Sequence, residues 1–310
     1  MTVESAFRLD PPRRLEHMSS RKYALIAATA AAAVVLSACS GTAPAEPKPW
    51  PNVGTGGAVA APTSAAVNTA TYTWKNVDGL GHEGERDATQ YRAQFGLDPL
   101  PGVEIIHAKG SDAGDTVPCT LGPAVAAGYL TAGHCAQDYS ADQYLMGSPT
   151  GDPRLLGTAT PVVAGPVDAA VIETSRVSIG ATRISGSWPV AGVLTAAGVQ
   201  QLVPLGSYVC FDGAVSGVRC GARLADADEM IQFASGAKHG DSGSPVFLVN
   251  GDGRAALVGI VTTSDLSAVT SATYLETALM ATGTAVKLDP HTVPFDAPQP
   301  GLFSQRISTP

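Results

Sequence analysis

Charge is scarce in this chain. Of 310 residues only 15% are Asp, Glu, Lys or Arg, and the balance is acidic, with a formal charge of −8. Without a basic excess there is no electrostatic footprint for a phosphate backbone, which excludes nucleic acid as a partner. There is no P-loop, no HExxH and no CxxC pair, so phosphate cradling and zinc ligation lack the residues they need. No metal and no cofactor is expected. No apolar run reaches the length of a comfortable membrane span, and Tyr23 to Val35 falls short of it. Tryptophans are few, and Trp50, Trp74 and Trp188 stand alone in the sequence.

Ala, Gly, Pro and Thr are abundant instead. Val and Ile fall in short runs broken by Gly and Pro, a texture that favours an all-β body. Val103 to His107, Ala124 to Thr131, Leu155 to Val163 and Ala169 to Glu173 read as strands of a first half. Gln201 to Phe211, Val218 to Leu224, Met230 to Phe233, Ser244 to Val249 and Ala255 to Thr262 read as strands of a second. The seam falls near Val190 to Gln200, and a lone helix is expected over about Glu276 to Ala281. Many short strands in two groups predict two small closed or sandwiched β units.

The two ends read differently. Arg21 and Lys22 precede the Ala-rich run, so residues 1–38 have the layout of an export signal. Met18 offers an alternative start to Met1. Leu36-Ser37-Ala38-Cys39 resembles the bacterial lipobox, and the resemblance implies a lipidated Cys39 as the mature N-terminus. The alternative is an ordinary cleaved signal with an incidental Cys. Removing residues 1–38 takes away five basic and three acidic groups, leaving −10. Such a body needs an acyl anchor, not charge, to stay at a membrane. Residues 39–70 are rich in Ala, Pro, Gly, Thr and Ser and read as a flexible tether. Residues 71–101 form an N-terminal extension, either a pro-segment or a part packed on the domain, with a short helix expected over Glu85 to Phe95. The main domain is expected over 102–290 and a disordered tail over 291–310.

Cys39 apart, four cysteines remain: Cys119, Cys135, Cys210 and Cys220. An even set in an exported chain predicts disulfides. Three connectivities are open. The local pairs Cys119–Cys135 and Cys210–Cys220 would each contribute about 3 kcal/mol.

The chemistry centres on Gly240-Asp241-Ser242-Gly243-Ser244-Pro245. A Ser between glycines, before an apolar run, is placed like a nucleophile on a tight turn. The N–H groups of Gly240 and Ser242 can converge on a developing oxyanion. A Ser hydroxyl needs a base, and the base needs an orienting acid. His134 follows an apolar run and precedes Cys135; Asp168 precedes Ala169-Ala170-Val171-Ile172. Other candidates rank lower. His107 and His239 read as packing or surface residues, Asp112 and Asp115 as turn residues, and Asp212 as a loop tip with no series of oxygen ligands for calcium.

The order His, Asp, Ser matches one of the known triad orders. Thr131-Ala132-Gly133-His134-Cys135 and Gly240-Asp241-Ser242-Gly243 resemble the histidine and serine motifs of chymotrypsin-like serine peptidases. Cys210 to Cys220 has the spacing of the second disulfide loop in the bacterial streptogrisin and α-lytic protease branch, and Thr273-Tyr274-Leu275-Glu276 resembles that branch's closing strand and helix. The resemblance covers roughly 105–288. It implies two six-stranded antiparallel β-barrels with a cleft between them, and a peptide or protein substrate. In it His134 is the base, Asp168 orients it, Ser242 attacks, and Gly240 and Ser242 form the oxyanion hole. Gly236, Lys238, Thr262, Thr263 and Ser264 line the substrate's binding edge and pocket.

Departures from the pattern carry their own expectations. Ser244 stands where most relatives have Gly. Phe211 stands where the bacterial branch has an Arg that pairs with the Asp before the nucleophile. Asp241 is therefore expected without that partner, with Lys238, Arg219 and Arg223 as replacements. No acid sits at the trypsin-like pocket base, and Ser264 narrows the mouth, so small or medium apolar side chains are expected over Arg or Lys unless Asp265 points inward. The reading is an exported, lipid-anchored serine endopeptidase; a non-catalytic envelope lipoprotein on the same fold and an esterase are the rivals.

Overall fold

The computed structural model describes residues 72–81, 95–108, 116–137, 141–148, 150–264, 268–296 and 299–309. The export signal, Cys39, Trp50, the tether, Asp112, Asp115 and Asp265 lie outside these residues, as does the expected 85–95 helix but for Phe95.

The first half folds into β1 (Glu104–Ala108), β2 (Thr116–Thr120), β3 (Ala124–Val125), β4 (Gly128–Thr131), a one-turn helix α1 (His134–Gln137), β5 (Asp142–Leu145), β6 (Arg154–Ala164) and β7 (Val167–Glu173). The second half gives β8 (Arg183–Ile184), β9 (Trp188–Val193), α2 (Ala196–Leu202), β10 (Tyr208–Gly213), β11 (Gly217–Ala222), β12 (Ile231–Phe233), β13 (Pro245–Val249), β14 (Ala255–Ser264) and β15 (Thr270–Tyr274). Helix α3 (Leu275–Thr282), β16 (Val286–Lys287) and β17 (Ile307–Ser308) follow. Two curled sheets result. Among the described residues one has nine strands, in the order β17-β16-β3-β4-β7-β6-β5-β1-β2. The other has eight, β11-β10-β13-β14-β15-β12, with β9 laid parallel to β14 and paired to β8. The two-unit, all-β architecture is the expected one. Its sheets are wider than six strands because β16 and β17 join the first, where Ala124 to Thr131 also makes two strands, β3 and β4, and because β8 and β9 join the second.

Strand alternation sorts the core. In β7, Ala170 and Ile172 point into a cluster with Ile105, Leu121, Tyr129 and Leu145, while Ala169 and Val171 point the other way. In β13, Val246 and Leu248 enter a cluster with Phe211, Phe233 and Val258, while Phe247 and Val249 face the same third cluster as Ala169 and Val171. Each sheet thus has its own core, and a shared cluster holds residues of both. A strand buried on both faces reads as a continuous apolar run, which is how Pro245–Val249 and the start of β14 read in the sequence.

Three expectations change, one of them because Gln201 and Leu202 end a helix, so that the strand expected from Gln201 begins only at Tyr208. Ala124 to Thr131 is a hairpin, not one strand: Gly128 takes φ +145°, where a Cβ would lie 2.0 Å from the Ile172 carbonyl oxygen. The stretch from Val190 is no seam. It is the buried strand β9, and then α2, whose cap Thr195 accepts from the Gly198 N–H at 2.9 Å. The helix expected at 276–281 is α3.

The N-terminal flank packs on the second sheet, and the C-terminal flank adds rings to that sheet's core and strands to the first. Trp74 is buried and donates its indole N–H to the Leu202 carbonyl at 2.7 Å; Val77 is buried as well. Asp78 accepts from the Cys220 N–H at 2.8 Å. Residues 72–81 are therefore part of the domain's packing. The disordered tail expected at 291–310 is corrected. Phe295 and Phe303 stack at 5.4 Å, Phe295 meets Trp74 edge-on at 6.4 Å, and β17 pairs with β16. Burying these rings supplies the ordering free energy that a Pro-rich composition does not announce. The disulfides are the local pairs, Cys119–Cys135 and Cys210–Cys220.

Candidate active site

His134 opens α1 directly after β4. Asp168 sits two residues past the Gly165–Pro166 turn that joins β6 to β7. The two backbones come so close that a Cβ on Gly133 would lie 2.9 Å from the Ala169 nitrogen, which is why only Gly serves there. The His134 N–H donates to Asp168 Oδ1 at 2.7 Å, and His134 Nδ1 lies 2.6 Å from Asp168 Oδ2. The carboxylate thus grips both the backbone and the ring of one residue. Its side chain is 20% exposed, while the His134 side chain is 42% exposed and open to a ligand. Asp168 is held in turn from the other sheet: its N–H donates to Thr273 Oγ1 at 3.2 Å, and the Thr273 hydroxyl donates to the Pro166 carbonyl at 2.9 Å. Sequence reasoning missed Thr273 in this role, since one Thr in a strand carries no signal of its partner.

The Ser242 turn packs against the strand leading to His134. A Cβ on Gly243 would lie 2.2 Å from Thr131 Oγ1 and 3.0 Å from the Ala132 nitrogen. The Thr120 N–H donates to the Ser242 carbonyl at 2.7 Å, and the Cys119–Cys135 disulfide ties the same strand to α1. The Ser242 hydroxyl makes no hydrogen bond among the described residues. Within the turn the N–H groups of Asp241, Gly243 and Ser244 donate to Lys238, Val261 and Asp241 carbonyls. Those of Gly240 and Ser242 donate to nothing among the described residues.

Asp241 corrects the expectation of a missing partner. It is fully buried and accepts four bonds: Oδ1 from the N–H of Val215 at 3.1 Å and of Ser216 at 3.0 Å, Oδ2 from the Ser216 hydroxyl at 2.6 Å and the Lys238 N–H at 2.8 Å. A nest of oriented N–H groups replaces the arginine. Arg219 pairs with Asp78 and Arg223 with Asp226, and Lys238 contributes its backbone only. The Gly-bounded turn Gly213 to Gly217 was the available signal. A Cβ on Gly213 would lie 2.2 Å from Asp241 Oδ1. Asp241→Asn turns an amide NH₂ toward at least one of three backbone donors whichever way it flips. We expect a loss of about 3 kcal/mol of stability in urea denaturation, and a change under about 1 kcal/mol would contradict the nest.

The other expected residues divide. Past Val261, the β13 side of β14 is unpaired among the described residues, which leaves Thr263 and Ser264 on an open edge. Thr262 turns inward, its hydroxyl donating to the Ser271 carbonyl at 3.1 Å. Gly236 bonds Ala268 and has φ +65°; Lys238 and His239 are exposed. Cys119, His134 and Cys135 bring ligand-type atoms within 4.8 Å of one another, but both thiols are spent in the disulfide.

His107 is buried in β1, and its burial, with the nearby His134, holds its pKa down at about 4. Its neutral form is the folded form. As pH falls from about 6.5 toward 4, the unfolded chain takes up a proton that the folded chain refuses, so stability declines through that window. His107→Gln is expected to flatten the fall in Tm between pH 7 and 4.5; an unchanged slope would exclude His107 as its source.

Two curled, largely antiparallel sheets, with the turn that carries Ser242 packed on the strand that leads to the His134–Asp168 pair, make a chymotrypsin-like fold. No protein-family model and no curated protein matches the chain. Solved structures of bacterial serine proteases do. Cellulomonas bogoriensis chymotrypsin is 21% identical, over 61% of this chain and 98% of that one, with a TM-score of 0.38. Thermobifida fusca protease A is 19% identical, over 61% and 97%, with a TM-score of 0.41. A glutamic-acid-specific serine protease, described as using a histidine triad in substrate binding, is 20% identical, over 60% and 99%, with a TM-score of 0.43.

Proposed function

We propose that this chain is a serine endopeptidase working outside the cytoplasmic membrane. The observation that carries the reading is His134 doubly bonded to Asp168, with the Ser242 turn packed on the strand that leads into that histidine. In the reaction the Ser242 hydroxyl adds to the substrate carbonyl and its proton passes to His134 Nε2. Asp168 Oδ2 holds the resulting imidazolium through the Nδ1 proton. The carbonyl oxygen, now an anion, takes the unused N–H groups of Gly240 and Ser242. His134 returns the proton to the leaving amine, an acyl-enzyme remains, and water releases it by the same steps in reverse. No metal or cofactor enters.

The substrate strand would add to the open edge of β14 at Thr263 and Ser264, pairing main chain to main chain. Small or medium apolar side chains would enter beside Gly236 and Ser264. The disulfides and the signal-like N-terminus support a location outside the cytoplasm, and the lipobox-like Leu36-Ser37-Ala38-Cys39 supports lipid on Cys39 as the anchor. The non-catalytic reading rested on an Asp241 without a partner, and Asp241 has four.

Labelling with a fluorophosphonate, followed by peptide mapping, tests the reading: the adduct is expected on Ser242 of the oxidised protein. No adduct at any stage of maturation would refute it. A peptide library then reads the pocket, and strong cleavage after Arg or Lys would overturn the apolar preference.

A further inference from the structure

The direction of each N–H in the Ser242 turn depends on what holds the carbonyl across the same peptide, because C=O and N–H of a trans peptide point opposite ways. Three consecutive peptides matter. The Gly240 carbonyl accepts the Thr120 hydroxyl at 2.7 Å, and that hydroxyl accepts from the Ala214 N–H at 3.0 Å, so its proton has one direction to go. The N–H across that peptide, Asp241's, is taken by the Lys238 carbonyl at 2.9 Å. The peptide from Ser242 to Gly243 is likewise held at both ends, by the Thr120 N–H and the Val261 carbonyl. The middle peptide is held at its oxygen alone. The Asp241 carbonyl accepts the Ser244 hydroxyl at 2.5 Å and the Ser244 N–H at 3.1 Å. The Ser242 N–H at its other end meets no acceptor among the described residues.

We propose that buried Ser244 is a positioning residue for anion binding: its hydroxyl pins the Asp241 carbonyl inward and so aims the Ser242 N–H at the substrate oxygen. The proposal rests on the serine-peptidase reading. Ser244 is fully buried, so water does not replace a lost hydroxyl there. A residue without one keeps only the 3.1 Å turn bond. The peptide then rocks, and the donor meets the oxyanion less well than it meets the planar ground-state carbonyl.

The test compares Ser244→Ala with the wild type in kcat, KM and the affinities of a peptide aldehyde and its matching alcohol. The aldehyde forms a tetrahedral oxyanion on Ser242, and the alcohol does not. Ser244→Ala is expected to lower kcat about tenfold, a part of what an oxyanion donor supplies, with KM within about twofold. Aldehyde affinity should fall in step while the alcohol's holds. Ser244→Thr, which keeps the hydroxyl, should recover kcat and aldehyde affinity. If Ser244→Ala does not fold, Ser244→Cys, close in shape with a weak S–H donor, takes its place. Unchanged kcat and aldehyde affinity, or equal losses for aldehyde and alcohol, would overturn the role. Wild type that acquires no fluorophosphonate on Ser242 would bring down the peptidase reading itself, and this inference with it.

Discussion

Ser242→Ala is expected to lower kcat for peptide hydrolysis on the order of a millionfold. The expectation follows from what the substitution leaves in place. The bonds that position the turn run through the Ser242 carbonyl, the Gly243 N–H and the Asp241 carboxylate, and none uses the Ser242 hydroxyl. His134 and Asp168 keep their double contact. Fold, Tm and substrate affinity should therefore survive while the nucleophile is gone. Residual rate above the uncatalysed reaction would come from the oxyanion donors and from binding alone. The measurement is kcat and KM on a peptide cleaved by wild type, with Tm alongside. Retention of more than a small fraction of kcat by a folded Ser242→Ala protein would show that another group attacks.

Asp168→Asn should cost roughly ten-thousandfold in kcat with little change in Tm. The geometry says why a near-isosteric change is so severe. Asp168 Oδ1 faces the backbone N–H of His134, and a backbone N–H never becomes an acceptor. The Asn oxygen must therefore take that place, and its NH₂ must face His134 Nδ1. Nδ1 then serves as acceptor, which forces the ring proton onto Nε2. That is the nitrogen required to receive the Ser242 proton, so the base is blocked in the wrong tautomer. A kcat within tenfold of wild type would mean that Asp168 only supports the loop.

How much was legible depended on range. The histidine and serine motifs stood out because each packs its constraints into a few adjacent residues: a glycine for close approach, the functional side chain, and a cysteine or a strand beside it. Both disulfide pairs were near in sequence and formed as the local option. Asp241 was misjudged for the opposite reason. Its partners are the N–H groups of Val215, Ser216 and Lys238 and the Ser216 hydroxyl, and backbone donors carry no residue code. A search for a replacement arginine was bound to look past them. The tail was misjudged because Pro and polar residues dominate its composition, while its order comes from Phe295, Leu302 and Phe303 seated beside Trp74, far away in the chain. The helix α2 was hidden by β-branched neighbours and declared only by its Thr195 cap.

The sequence by itself determined the all-β texture, the two halves and the even cysteine set, and it nominated His134, Asp168 and Ser242 as base, acid and nucleophile, because each of these is written in local spacing and side-chain type. Tertiary structure alone decided which carbonyl each hydroxyl of the turn would hold, how a buried carboxylate is satisfied without a cation, and which N–H groups stay unused. Those outcomes depend on segments distant in the chain arriving within hydrogen-bond distance, 25 residues apart for Ser216 and Asp241 and 120 for Thr120 and Gly240, and on peptide planes whose direction follows only from their neighbours.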